Sequence, residues 1–443
     1  MPIVAPPTTS LTALWPDPKV EIGFASNPLT SLSGITWTDV TTQCLGFTTH
    51  MGRQHELGTV EASTASILLD NKDRRFDPTN TSSPYSPNVL PMKRVRIRAT
   101  WNGITYPIYC GFIDGWPLSW PDVSDSYVTL PGTDALKVLN LRFLTASPDA
   151  GNVLSGTRIA NVLGQINWPS ADQSLELGLS YIQSEPMPST GTALQHLTDV
   201  AKSEQGLLFQ DPAGVMTFYD RSHLTTTIAS TTSQATFGDA GGSELPYILQ
   251  GIDPRMDDVD LWNDVQMTAT TPANTSVANV TSSDGTVVQV QTLSTNTSAR
   301  LLQEAQDTTS QTAYGIRSLS MTGLKNASDN EVADLATRLL SIYKDPYLRI
   351  RKFAVTPHSD PTNLYPQVLG RKLWDRVTVK RTPPGGGPRL SQDLYLEGIE
   401  HKYNKATGWE TTYATSPATL GTAQYLVLDN ATLGLLDTAQ LSY

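Results

Sequence analysis

The sequence predicts a mainly β protein with α+β insertions, built as two similar β-barrel-like domains around a central α+β region. Three observations carry this. Charged residues make up only 16% of the chain, while glycine and proline number 31 and 30; that mixture favours short strands and many turns over long helices. Apolar residues recur with period two near both ends. One strand–turn–strand pattern also occurs twice. Its cation-bearing strand leads to a longer strand that ends in Gly, an aliphatic residue and a carboxylate (Gly111, Ile113, Asp114; Gly398, Ile399, Glu400).

Residues 19–69 alternate in "KVEIGF", "GITWTDVT" and "GTVEASTASILLD", the mark of strands. "LLDNKDRRFDPTN" follows, from Leu68 to Asn80. A calcium loop needs oxygen ligands at alternate positions and a glycine near the sixth. Counted from Asp70, the third and fifth positions are Lys72 and Arg74; counted from Asn71, Asp73 fits and Arg75 does not. Arg74 and Arg75 would also depress the carboxyls of Asp70, Asp73 and Asp77, the wrong direction for a general acid. The stretch reads as a turn: Asn71 or Asp73 bends the chain, Phe76 anchors it in a core and Pro78 sets the exit.

In "KRVRIRATWNGITYPIYCGFIDGW", Val95 and Ile97 share one strand face and Arg94, Arg96 and Arg98 the other. This stripe is a candidate lining for an interface or channel, or a solvated face with local ion pairs. Trp101-Asn102-Gly103 supplies a hairpin turn, and "DSYVTLPG" a further strand.

Residues 133–145, 156–168 and 190–204 read as helices; in the last, Leu194, Leu197, Val200 and Ala201 form an apolar face. "GLLFQDPAGVMTFYDR" is a hairpin turning at Asp211-Pro212-Ala213-Gly214. Residues 222–243 and 268–312, rich in Ser and Thr, read as sheet edges and long loops. The acidic run from Asp253 to Val265 reads as a rim or as a contact to a basic stripe. Residues 329–343 form a helix with a Ser328/Glu331 capping box and an apolar stripe through Val332, Leu335, Ala336, Leu339, Leu340 and Tyr343, barred from continuing by Pro346. Strands return in "LRIRKFAVTP", "DRVTVKRT", "DLYLEGIEHKYN" and "GWETTYAT". The expected divisions are 1–132 and 321–415 for the two barrel-like units, 133–225 for the α+β domain, 226–320 for a Thr/Ser-rich β region and 416–443 for a docking tail.

Chemistry is sparse. A net charge of −11 argues against coating nucleic acid. Cys44 and Cys110 form no CxxC pair and read as unpaired core thiols in a chain without an export signal. No run approaches the ~20 apolar residues of a membrane span. Phosphate-loop, dinucleotide, HExxH and GxSxG motifs are missing, and the six histidines are scattered. No catalytic, cofactor or metal residues are assigned. Two rival readings remain. A polysaccharide hydrolase would draw on Glu185, Glu204, Asp211 and Asp220. A carbohydrate-binding adhesin would use exposed tryptophans among Trp101, Trp116, Trp120, Trp168, Trp262, Trp374 and Trp409.

The order of "GRQHELGTVEASTASILLDNKDRRFDPTNTSSPYSPNVLPMKRVRIRA", "YCGFIDGWPLSWP", "ALQHLTDVAKSEQGLLFQDPAGVMTFYDR", "LWDRVTVKRTPPG" and "LYLEGIEHKYNKATGWETTYATSP" resembles the minor tail proteins of long-tailed bacteriophages, especially those infecting actinobacteria. The resemblance spans nearly the whole chain. It implies a structural virion protein of the tail tip, made in the bacterial cytoplasm. As a baseplate tail-hub protein it would be a homotrimeric ring around a channel, with three subunits of two barrels each matching a sixfold tube. Its partners would be the distal tail ring or tail-tube protein, other tip proteins and the tape-measure protein, with DNA only in transit. The turn corresponds to the family's "LDN…RF-P" element at Asp70, Asn71, Arg75, Phe76 and Pro78, a structural motif. Only residues 416–443 follow the last barrel, so no wall-degrading or receptor-binding domain is expected there; that tail would dock on a neighbouring subunit or tip protein.

Overall fold

The computed structural model describes residues 15–149, 151–184, 191–252, 254–270, 273–281, 287–295 and 300–418. Strand accounts for 36% and helix for 23%, which makes the class mainly β. The docking tail expected at 416–443 therefore lies almost wholly outside the described residues.

One large antiparallel sheet organises the molecule. Its strand order is Thr236–Phe237, Arg376–Arg381, Leu390–Asn404, Cys44–Gly52, Glu61–Asp70, Tyr127–Thr133, Ile104–Ile113, Arg94–Trp101, Asp17–Gly23 and Thr38–Asp39. Only the short Thr236–Phe237 strand at its edge runs parallel to its neighbour. The alternation read in the sequence sets which side faces in. Along Glu61–Asp70, Ser63, Ala65, Ile67 and Leu69 are buried, while Thr64, Ser66 and Leu68 face out. Asn102 and Gly103 turn the 94–113 hairpin with φ of 47° and 81°, the positive values a tight two-residue turn requires.

Segments from the two ends of the chain meet in the Leu390–Asn404 strand. Its first part pairs with Arg376–Arg381, and its last part with Cys44–Gly52, from Gly398 opposite Gly52 to Asn404 opposite Gly46. Gly408–Pro417 pairs along the other edge, with a bulge at Glu397 where the strand changes partners. The echoed Gly-aliphatic-carboxylate motif thus closes a strand near Ile113, but in the second copy the strand runs on past Glu400 to Asn404. The extra residues extend the pairing with the first meander that the motif itself begins at Gly398.

Both meanders curl. The seven strands from Cys44–Gly52 round to Thr38–Asp39, laid flat, would put the outer two about 29 Å apart. The chain from Asp39 to Cys44 can span at most about 18 Å, so the sheet must roll up. In the second meander, Phe237 and Phe353 from opposite outer strands lie 5.0 Å apart, and Ile248 N donates to Ala354 O at 2.8 Å. Among the described residues no strand ladder closes either roll into a barrel. The edge strand Cys44–Gly52 is taken by Leu390–Asn404 instead of pairing back on its own unit.

The helices Ala135–Asn140, Ser155–Gln165 and Ala193–Glu204 pack with the Leu207–Gln210/Met216–Tyr219 hairpin around Leu136, Ile159, Val162, Leu197, Val200 and Phe218. Thr192 caps the third helix by accepting from Gln195 N, and Gln205 ends it at φ 55°. The Asp329–Tyr343 helix lies over the strands Asp264–Ala269, Gln303–Gln306 and Ser318–Leu324, burying Val332, Leu335 and Leu339 against Val265 and Met267. Ser328 is its N-cap residue, but its hydroxyl makes no capping bond. Glu331 approaches Arg221 at 3.9 Å, so the capping box does not form. The helix Pro361–Gly370 was not foreseen; Pro366 inside it masks the periodicity of Leu364, Tyr365, Val368 and Leu369, all buried. Short helices at His223–Thr226 and Ile228–Thr231 likewise replace part of the expected edge and loop.

Candidate interaction site

The arginine stripe divides. Arg94 is fully buried, with its guanidinium over Phe112 at 4.1 Å and near Trp168 at 5.4 Å. The aromatic faces and the Pro28 carbonyl, 3.3 Å from Nη2, take the place of a carboxylate. Arg94 is therefore covered at its end of the strand, although the alternation places it with Arg96 and Arg98. Arg96 and Arg98 are on that face, half-buried, and clamp Glu21 of the neighbouring strand. Arg96 Nε donates to Glu21 Oε2 at 2.7 Å, and Arg98 donates to both carboxylate oxygens at 2.8 Å. Burial pushes the Glu21 carboxyl up, but the two arginines outweigh it and hold it below its usual range. Arg96 also lies over Trp37 at 4.1 Å. Glu21 was missed in the sequence, although a lone acid inside an apolar strand beside a cationic strand is the available signal.

The Asp/Asn/Arg stretch is a locally bonded turn. Asn71 is fully buried; its Oδ1 accepts from Phe76 N at 2.9 Å and its backbone N donates to Ser126 O at 2.8 Å. Arg74 sits at φ 59°. Asp70 accepts from Lys72 N at 3.0 Å, and Arg75 Nε pairs with Asp73 at 2.6 Å. Phe76 is fully buried and stacks on Tyr85 and Trp116 at 5.6 and 6.1 Å; such burial is worth roughly 1.5–3 kcal/mol. Pro78 follows Asp77, whose carboxylate binds Arg74 and Thr79. All of these contacts lie inside the turn or run into the core below it.

The seam between the two meanders carries a second charged group that the sequence did not flag. Glu397, at the bulge, is buried and accepts from Arg53 Nε at 2.7 Å and from Ser416 Oγ at 2.6 Å. Gly52 sits at φ +94°, and a Cβ there would lie 2.2 Å from the Glu397 carbonyl oxygen, so close approach requires glycine. Nearby, Arg349 lies 3.3 Å from Glu56 and 3.6 Å from Asp260. Burial pushes the Glu56 carboxyl up. The acidic run is tied to cations of its own chain: Asp257 and Asp260 to Arg351 at 3.1 and 3.0 Å, and Asp258 to Arg317 at 2.8 Å. Asp253 lies outside the described residues.

The hydrolase candidates serve as structural acceptors. Glu204 is fully buried and binds Ser180 N, Leu179 N, Ser155 Oγ and Arg221. Asp220 accepts from Ser222 and Gly178 N, and Asp211 from Val215 N inside its hairpin turn. Glu185 lies outside the described residues. Of the tryptophans considered for stacking, Trp120 is exposed at 65%; Trp101, Trp116, Trp168, Trp374 and Trp409 are buried, and Trp262 partly so. Cys44 and Cys110 are buried free thiols. Among the described residues no His/Cys/Asp/Glu group could hold a metal, and no helix is long and apolar enough to cross a membrane.

No family model and no curated protein matches the sequence. Solved structures do share the fold. The chain is similar to a tail protein from Neisseria meningitidis MC58, with 13% identity and a TM-score of 0.56, over 90% of this chain and 96% of that one. It is also similar to the 43 kDa tail protein of prophage MuSo2 from Shewanella oneidensis, with 12% identity and a TM-score of 0.52, over 91% and 99%. At these identities the likeness is one of fold.

Proposed function

We propose that the chain is a structural protein of a bacteriophage tail: a hub at the tail tip of a long-tailed phage, whose copies form a homotrimeric ring around a channel. The observation that carries this reading is the seam. Each end of the chain contributes a curled antiparallel meander, and the Leu390–Asn404 strand joins the two edge to edge. One subunit then offers two quasi-equivalent units, and three subunits offer six, the number a sixfold tube presents. The fold shared with two tail proteins supports the same reading. The two units would fall within 1–132 and 321–415, with 133–225 and 226–320 as the spacer between them.

In this reading the work is assembly and gating, with no covalent step. The hairpin at 94–113 and the strands around 375–413 meet the distal tail ring or tube. Arg96 and Arg98 lie toward that contact, each already neutralised in part by Glu21; Arg94 serves the interior. Other tip proteins and the tape-measure protein would bind the remaining faces, and DNA would only pass through. Gold-labelled antibody against the chain, applied to phage particles, tests the placement. Label confined to the distal end of the tail is expected; label along the whole tail, or none on intact particles, would overturn it.

A further inference from the structure

A cavity of about 410 Å³ opens between the Asp329–Tyr343 helix, the Ala193–Glu204 helix and the seam. That volume is within the range of about 300–1,000 Å³ typical of ligand pockets. Its apolar wall includes Leu57, Leu194, Leu319, Met321, Leu339 and Ile342. Three cations and two carboxylates also line it: Arg53 is paired with Glu397 and Glu56 lies beside Arg349, while Lys202 and Arg338 have no carboxylate partner among the described residues. Arg338 donates from Nη1 to Gln205, while its buried Nε has no acceptor. Ser416 and Pro417, almost the last described residues, are part of the same wall.

We infer that this cavity is the seat of the chain's own C-terminal segment, with Tyr425-Leu426-Val427-Leu428 against the apolar wall and Asp429 at Arg338 and Lys202. The sequence beyond Ala418 reads "TLGTAQYLVLDNATLGLLDTAQLSY", an apolar run followed at once by an acid. Tyr425 to Leu428 lie within about ten residues of Ala418, a reach of about 33 Å when extended. Because the segment leaves from the cavity wall, its own chain holds it at an effective concentration in the millimolar range, which favours this seat over one on a neighbour. The inference does not depend on the tail-hub reading.

The test uses the full chain carrying Thr198→Cys and Leu426→Cys, oxidised mildly; Cys44 and Cys110 are buried and do not compete. An intramolecular disulfide in most molecules is expected. Arg338→Glu should lower its yield about tenfold, the factor that losing one charge contact of about 1.4 kcal/mol sets, and Asp429→Arg in the same chain should restore it. Folded protein that forms no disulfide, or that forms disulfides only between copies, overturns the inference. A second measurement uses a labelled peptide of residues 421–431. It should bind a chain ended at Ala418 and not the full chain; equal binding to both would also overturn it.

Discussion

Arg53 holds Glu397 twice: its Nε donates to the carboxylate at 2.7 Å and its backbone N to the Glu397 carbonyl at 2.8 Å. One residue belongs to the N-terminal meander and the other to the C-terminal one, so this pair fastens the seam. Both side chains are largely withdrawn from solvent, at 13% and 3% exposure. Arg53→Ala leaves a buried carboxylate without its cation and should cost about 3–5 kcal/mol. Replacing both residues by methionine should recover most of that loss. Urea denaturation of the two variants decides it: a double variant as unstable as Arg53→Ala would show that the charges are not what fastens the seam.

His401 sits on the same shared strand, opposite Thr49. Its Nδ1 lies 2.8 Å from Thr411 Oγ1 and accepts from Trp409 Nε1 at 3.3 Å. Burial pulls the imidazole from an ordinary 6.5 down to about 3. A group depressed in this way contributes stability in full above pH 6.5, and the contribution is lost as pH falls toward 3. By pH 4.5 the loss should be about 2–3 kcal/mol. His401→Gln lacks the titration, so the stability gap between wild type and variant should narrow from pH 7 to 4.5. A gap that stays constant over that range would contradict the assignment.

Asn71→Ala removes the acceptor of the buried Phe76 N–H. A loss of about 1–3 kcal/mol is expected, the cost of a stranded buried donor. Asp70→Ala removes only a bond to Lys72 N near the surface and should cost less than about 0.5 kcal/mol. Thermal melts of the two variants should rank them in that order; equal losses would show that Asn71 does not hold the turn.

How far the sequence could be read follows from the range of its signals. Alternation in "GTVEASTASILLD" and the 3.6-residue period through Leu197 and Val200 are local, and the strands and helices lie where those patterns put them. The bend at Asn71 and the anchoring of Phe76 are also local and were legible. The seam was not. Glu397 and Arg53 are separated by most of the chain, and nothing in "LYLEGIE" says which strand its later half will meet. The burial of Arg94 was not legible, because alternation predicts the side of a strand but not that Phe112 and Trp168 wait there to cover a guanidinium. Pro366 hid a helix by breaking the period on which helix detection relies.

The thiols give a simple check on the packing of the first meander, to which both belong. Cys44 and Cys110 are buried, and burial pushes each up to about 11. A thiol reagent at pH 8 should modify neither in the folded protein and both after denaturation. Rapid reaction of either in the native state would mean that its meander is open to solvent.

The central claim is that one chain supplies two joined, look-alike units to a threefold ring. The most direct measurement is electron cryomicroscopy of purified tail tips, with the copy number and symmetry of this chain read from the map. Three copies about the tail axis, both meanders of each seated against the ring above, is the expected result. Six copies each using one meander, or a single copy off the axis, would contradict it.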